Sequence, residues 1–358
     1  MRRLAFWLLA ICLSLVITGC DFLVDLTSDS QADQAQTQIQ ESIPPLQLGS
    51  GELPETGSIR RTFDWQFGGK EFTWELNLPQ FLYDYYFQLP RTPTANYSVY
   101  ATHPMDNAYL EELVSELEAV AREEGFNPRQ TAEFAISFVQ SLPYSADSVT
   151  TPFDEYPRYP IETLVDMGGD CEDSAILLTS LLDMMDHEAV FLIFAATQTA
   201  GGHAAIGVAG LEDVFGSYWE YKGERYYYLE TTSTGWKLGE VPPEYKNASA
   251  DIYDLTPVAI FTHQWEATSR GDRVEMTFTI QNLGTADASG VYVQTGFDAG
   301  GDMLWNIVES QPFNLAAGHS IVISLTLREP ANKHTRLIVN IVDDGLAVDK
   351  SYSEWFDT

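Results

Sequence analysis

Apolar residues along this chain recur with two different periods, and the change of period divides it. Leu110, Leu113, Leu117 and Val120 fall on one face of a helix that starts at Asp106 or Asn107 and stops at Gly125. Asn127-Pro128 opens a second helix, with Ala132, Ala135, Ile136 and Val139 turned inward as far as Leu142-Pro143. A third begins where Gly168-Gly169 bends the backbone and Asp170 is placed to cap. Counted from Cys171, residues Ala175, Leu178, Leu182 and Met185 share a face. Strands follow. Residues 189–196 are a continuous apolar run, Gly201-Gly202-His203 leads into a second at 204–208, and 217–221 with 225–230 form an aromatic hairpin turning at Lys222-Gly223-Glu224. Upstream, Phe63-Asp64-Trp65 and Phe72-Thr73-Trp74-Glu75-Leu76 flank Gly68-Gly69 and read as another hairpin. Residues 80–89 are aromatic and ambiguous between a short helix and irregular chain, and 59–100 as a whole fits either ordinary packing or a cover over a cleft.

Beyond residue 251 the period falls to two. Val274, Met276, Phe278 and Ile280 alternate with polar residues, as do Ile321, Ile323, Leu325 and Leu327, and again Leu337, Val339 and Ile341. Turns are signalled at Gly284, Gly300-Gly301 and Gly318. The expected fold class is therefore α+β, helices followed by antiparallel strands, and then an all-β sandwich. The stretch 144–160, rich in Pro, Tyr and Asp, either skirts a cleft or connects two helices.

Charge narrows the partners. The 358 residues include 19 Lys and Arg against 52 Asp and Glu, a net of -33 and a pI near 4.2, which repels nucleic acid and anionic lipid. The first residues are a targeting segment: Arg2 and Arg3 precede an apolar run over 4–17 that is too short to span a membrane comfortably. Ile17-Thr18-Gly19-Cys20 resembles a bacterial lipobox. The resemblance implies cleavage before Cys20, lipid on its sulfur, and an exported, extracytoplasmic protein tethered to the cell membrane; Asp21 resembles an inner-membrane retention signal. Residues 21–58, rich in Ser, Gln, Asp, Thr and Pro, read as a disordered tether. Of the three cysteines, Cys12 leaves with the signal and Cys20 carries lipid, so Cys171 is the one free thiol of an exported protein.

A thiol in the first turn of a helix is favoured as thiolate by the helix dipole, whereas Glu172 and Asp173 oppose it and call for a cationic partner. A cysteine nucleophile also needs a base, and a third group to orient that base. Of the six histidines, His103 and His187 sit near turns or helix ends and His263, His319 and His334 fall in or beside the sandwich, leaving His203 at the start of the next strand. Glu230, ending the following hairpin, is placed to accept from its other nitrogen. Gln140 is the candidate side-chain donor to an oxyanion, beside the Cys171 backbone N–H.

These residues carry a resemblance. Tyr159-Pro160-Ile161-Glu162-Thr163-Leu164, then Gly169-Asp170-Cys171-Glu172-Asp173 with the Ala-Ile-Leu-Leu that follows, resemble the bacterial and archaeal branch of the transglutaminase-like cysteine peptidase superfamily. The resemblance implies a papain-like transglutaminase core with Cys171 as nucleophile, His203 as base and acid, and Glu230 as orienting carboxylate. The family usually has Asp at the third position and an aromatic after the His, where this chain has Glu230 and Ala204, which leaves the substrate class open. Gln281-Asn282-Leu283-Gly284-Thr285-Ala286-Asp287-Ala288 resembles the turn of CARDB-like, immunoglobulin-type modules. The expected division is signal peptide and lipobox 1–20, tether 21–58, transglutaminase-like domain 59–250 and sandwich 251–358. The expected function is hydrolysis or acyl transfer at peptide or amide bonds of a protein or peptide substrate, through a Cys171 thioester and with no organic cofactor or metal. The sandwich is expected to meet another surface protein or polymer. The alternative is a non-catalytic surface protein binding a peptide or cell-wall strand. A calcium site at Asp170, Glu172 and Asp173 is a further, weaker reading.

Overall fold

The structure, a computed structural model, describes residues 38–43, 57–92, 94–150, 155–197, 201–211, 214–301 and 303–358. Cys20, the signal segment and most of the tether lie outside the described residues. No helix among the described residues is long and apolar enough to cross a membrane. The chain divides into two units, one spanning 51–257 and the other formed by 258–358 together with the first 50 residues. The first described element, β1 (Gln38–Ile43), belongs to the second unit.

In the 51–257 unit, β2 (Ser58–Phe67) and β3 (Lys70–Pro79) form the expected hairpin, turning at Gly68 and Gly69, both with positive φ. The Trp65 ring packs on Phe134 and Phe138 at 5.3 Å. The ambiguous aromatic run is a helix, α1 (Gln80–Gln88), followed by α2 (Ser98–Ala101). Helix α3 (Asn107–Glu124) ends on Gly125 in the left-handed conformation, and α4 (Pro128–Gln140) opens with a capping box between Asn127 and Gln130. After α5 (Asp147–Thr150) and α6 (Pro160–Asp166) comes α7 (Cys171–Met184), the element on which the others pack. Sequence pattern gave α7 a single apolar face, but every residue from Glu172 to Leu182 is buried, because α3, α4 and α6 pack around it along with the sheet.

That sheet is antiparallel throughout, in the order β6 (Tyr218–Tyr221), β7 (Glu224–Leu229), β5 (His203–Val208), β4 (Ala189–Phe194), β8 (Asp251–Asp254). Helix α7 lies on β4 and β5, and its first residue, Cys171, meets Ala204, the second residue of β5, at one end. The break expected at 250/251 falls instead after Pro257, because Asp251–Asp254 hydrogen-bonds to β4 as an edge strand.

The other unit is the sandwich. One sheet runs β1, β14 (Ser320–Arg328), β10 (Arg273–Asn282), β9 (Phe261–Arg270). The other runs β12 (Met303–Glu309), β11 (Ala288–Gly300), β16 (Leu337–Asp343), β17 (Leu346–Tyr352), with β13 (Phe313–Leu315) on β11. A two-stranded pair, β15 (His334–Thr335) and β18 (Phe356–Asp357), completes it. The alternating residues meet in register, Phe278 opposite Ile323 and Met276 opposite Leu325, and close the core. Part of the stretch read as a tether is thus a strand, β1, paired with β14. In the 281–288 turn, buried Asn282 accepts from the Ile260 and Gly284 N–H groups and donates to the Ala286 and Leu315 carbonyls, so the whole amide is used in shaping it. The expected fold class holds: helices plus antiparallel sheet, then an all-β sandwich.

Candidate active site

The bend before α7 is built by close approach. A Cβ on Gly168 would lie 2.3 Å from the Pro143 carbonyl oxygen, and one on Gly169 would lie 2.1 Å from Asp173 Oδ2. That closeness lets the Asp170 N–H donate to Asp173 Oδ2 at 3.1 Å. Asp173, fully buried, also accepts from the Arg158 backbone N–H at 2.7 Å and from Arg158 Nη1 at 2.5 Å. Arg158 is itself buried, and donates further to Asp147 Oδ1 at 2.8 Å and Asp166 Oδ2 at 3.1 Å. Buried charges persist only when paired in this way. The cation that offsets Asp173 is therefore Arg158. Sequence reasoning passed it over, although it is the only Lys or Arg between Arg129 and Lys222.

Cys171 opens α7 as expected, but its thiol is turned to Glu172. Sγ–H donates to Glu172 Oε2 at 3.2 Å, and Sγ accepts the Ala204 N–H at 3.5 Å. Burial pushes the thiol well above its ordinary range and the Glu172 charge pushes it further, while the Ala204 N–H works the other way. Among the described residues no hydrogen bond joins Sγ to His203.

His203 and Glu230 are brought together. Nε2 lies 3.0 Å from Glu230 Oε2, and the Tyr228 hydroxyl donates to the same oxygen at 2.8 Å while standing 3.3 Å from Nε2. Glu230 Oε1 accepts from the Thr231 and Thr232 N–H groups, both at 3.1 Å, and from the Thr232 hydroxyl at 2.7 Å. The extra methylene of Glu is thus taken up by a cradle at the end of β7. Burial would raise the Glu230 carboxyl, but the His203 hydrogen bond and charge, with Thr232 and Tyr228, hold it down at about 2. A second tie, Ser174 Oγ to Thr231 Oγ1 at 2.8 Å, fixes this end of the strand to α7. Tyr228 precedes Glu230 by two and therefore shares its side of the strand, a period-two signal open to sequence reading.

Gln140 is buried behind the site. Its Nε2 donates to the Glu230 carbonyl at 2.7 Å and the Trp236 carbonyl at 3.1 Å. Both amide hydrogens are committed to backbone, so the expectation that Gln140 donates to an oxyanion is corrected: it ties the Glu230 carbonyl to that of Trp236, six residues on.

Carboxylates of Asp147, Asp170 and Glu172 each bring an oxygen within 4.8 Å of the others. Asp170 Oδ1 is buried with no hydrogen-bond partner. Burial raises both Asp170 and Glu172, and the charge of Asp170 raises Glu172 further. Such a group suits a hard divalent cation, whose ligands are oxygens. The grouping differs from the sequence reading in one member: Asp147, distant in sequence, stands where Asp173 was expected, and Arg158 pairs with both of these carboxylates.

No family model and no curated protein matches the chain. Among solved structures, calcium-bound LapG of Legionella pneumophila is 17% identical over 43% of this chain and 82% of that one, with a TM-score of 0.29. The EGTA-treated form of the same protein is 18% identical over 44% of this chain and 83% of that one, with a TM-score of 0.28. A CARDB domain from Pyrococcus furiosus, in complex with di-metal ions, is 11% identical over 26% of this chain and 88% of the domain, with a TM-score of 0.20.

Proposed function

We propose that this chain is a transglutaminase-like cysteine hydrolase or acyl transferase acting on peptide or amide bonds, exported and held at a membrane by lipid on Cys20. The observation that carries the reading is the His203 Nε2 to Glu230 Oε2 hydrogen bond, one residue from the Ala204 N–H that touches the Cys171 sulfur. With Nε2 committed to the carboxylate, Nδ1 is the nitrogen that acts as base. For turnover the Cys171 side chain turns from Glu172 toward His203 and gives its proton to Nδ1. The thiolate adds to the carbonyl carbon, and the oxyanion takes the Cys171 N–H, one of the first-turn donors without an intrahelical acceptor. Collapse breaks the C–N bond as the imidazolium returns its proton to the leaving amine, giving a thioester. Water or an acceptor amine, deprotonated by His203, then releases the acyl group and restores the thiol.

A divalent cation such as calcium would fit the carboxylates of Asp147, Asp170 and Glu172. When bound, it supplies positive charge that lets Asp170 and Glu172 both ionise without raising the thiol. The competing reading, a non-catalytic peptide or cell-wall binder, is favoured by one observation, the thiol turned to Glu172. In either case the sandwich is the part that meets a surface protein or polymer.

Trapping decides between them. The full chain is incubated with a peptide library in calcium, acid-quenched and weighed. A Cys171-linked acyl adduct, absent from Cys171→Ala and His203→Ala, is expected; peptides bound intact, with neither adduct nor cleavage, would leave the binder.

A further inference from the structure

One aromatic residue touches the His203 ring and also the chain that delivers it. Tyr245, half-buried in the segment after the Glu230 turn, lies over the imidazole with ring centroids 4.8 Å apart and planes only 14° from parallel. Its hydroxyl donates to the Gly201 carbonyl at 3.4 Å, two residues before His203. The Phe194 ring, 5.0 Å away, backs Tyr245, and the turn itself is held by the Tyr245 N–H on the Pro242 carbonyl and the Ala248 N–H on the Tyr245 carbonyl, each at 3.0 Å.

Glu230 and Tyr228 both act on Nε2, the far corner of the ring. Bonds to one nitrogen fix a point and leave the ring free to rock about the line through it. Nδ1, which must meet the sulfur, then sweeps an arc. A flat partner stacked on the face removes that motion, and only a flat partner does so without blocking the edge where the proton moves. The backbone needs the same restraint, because Gly201 and Gly202, the two residues before His203, have no side chains to anchor them. The Tyr245 hydroxyl provides it.

We infer that Tyr245 is a positioning residue for His203, fixing the plane of the imidazole so that Nδ1 faces Cys171. The inference rests on the reading of Cys171 and His203 as nucleophile and base, and its test separates the two.

Full-chain Tyr245→Phe and Tyr245→Leu are compared with the unaltered protein for the rate of Cys171 alkylation by iodoacetamide in calcium at neutral pH, for melting temperature, and for the NMR positions of the His203 ring protons. Tyr245→Phe, which keeps the ring, is expected to retain most of the rate, and Tyr245→Leu to lose about tenfold or more at an unchanged melting temperature. In the NMR spectrum the upfield ring-current shift of the His203 protons persists in Phe and falls in Leu to the smaller part that Phe194, stacked on the same imidazole at 6.4 Å, supplies. Equal rates in the unaltered protein and Tyr245→Leu would overturn the inference, as would equal losses in both variants, which would assign the effect to the hydroxyl alone. If Tyr245→Leu melts early, Tyr245→Trp replaces it: a flat ring without the hydroxyl restores the rate, or the inference fails. Should His203→Ala leave alkylation unchanged, the nucleophile-base reading fails; the ring-proton shifts still show whether Tyr245 fixes the imidazole.

Discussion

The Cys171 thiol donates to Glu172 Oε2 at 3.2 Å, its own neighbour in the first turn of α7, rather than to the imidazole one strand away. Burial and the Asp170 charge push the Glu172 carboxyl up to about 10, so at neutral pH it is protonated, and its charge bears on the thiol only once it ionises. The ionised carboxylate then raises the free energy of the thiolate. Glu172→Gln is expected to match the unaltered protein in its rate of alkylation by iodoacetamide near neutral pH and to be about tenfold faster above pH 10, where the unaltered protein carries the charge. Equal rates across the whole range would remove Glu172 from this role.

Glu230 has a consequence for stability that does not depend on substrate. Its carboxyl sits at about 2 when folded against 4.5 as a free side chain, because hydrogen bonds to His203, Thr232 and Tyr228 outweigh its burial. A group lowered on folding stabilises above its unfolded value, and that contribution is lost as pH falls toward its folded one. Glu230→Gln is therefore expected to cost on the order of 2–3 kcal/mol at pH 7 and progressively less from about pH 4.5 toward 2. Urea unfolding at pH 7, 4 and 3 reads the difference; a cost independent of pH would mean the carboxylate is not held by these donors. Activity should fall at the same time, since the donors that hold Glu230 also place His203.

Periodicity and punctuation showed α3, α4 and the sandwich strands, and the order Cys171, His203, Glu230 was visible because each stands at the start or end of an element. What sequence did not show lies in pairings between segments far apart. Asp147 and Arg158 sit in an irregular stretch with no period to place them, yet both are buried against α7. Tyr245 reaches His203 from a loop. Gln140 was read as a donor to the oxyanion, but the Glu230 and Trp236 carbonyls take up both its N–H groups. Asp251–Asp254 is too short and too polar to declare itself a strand, and its pairing to β4 comes from an edge that only the folded sheet offers.

The Arg158 network makes the bend before Cys171 expensive to disturb. Arg158→Met leaves Asp147 and Asp173 buried without their cation, a change worth about 3–5 kcal/mol when one partner of a buried pair is removed. Gly169→Ala reaches the same network from the other side, since its new methyl would stand 2.1 Å from Asp173 Oδ2 and must displace it. Both variants should melt early in calorimetry, and the pair combined should cost less than the sum, because each breaks what the other has already broken. Additive losses would show that the Gly169 methyl acts without displacing Asp173 from Arg158.

In the sandwich, four side chains from two edge strands form one hydrogen-bonded chain across the sheets. Asp349 Oδ2 stands 2.6 Å from His263 Nδ1, His263 Nε2 stands 2.6 Å from Ser351 Oγ, and Trp265 Nε1 donates to Ser351 Oγ at 2.8 Å. His263 and Trp265 are alternate residues of β9, and Asp349 and Ser351 of β17, so the period of the strands sets both pairs face to face. With Nδ1–H given to the carboxylate, Nε2 accepts from the serine, and the serine in turn accepts from the indole, so no atom along the path is left wanting. Ser351→Ala leaves the indole N–H and His263 Nε2 without partners and is expected to cost about 1–3 kcal/mol. His263→Ala breaks two links and leaves Asp349 unpaired, with a larger loss. Because the links depend on one another, the double variant should fall short of additivity by about 0.5–3 kcal/mol in urea unfolding of the full chain. Strict additivity would reduce the cluster to separate contacts, and the two sheets would then be held at this edge by apolar packing alone.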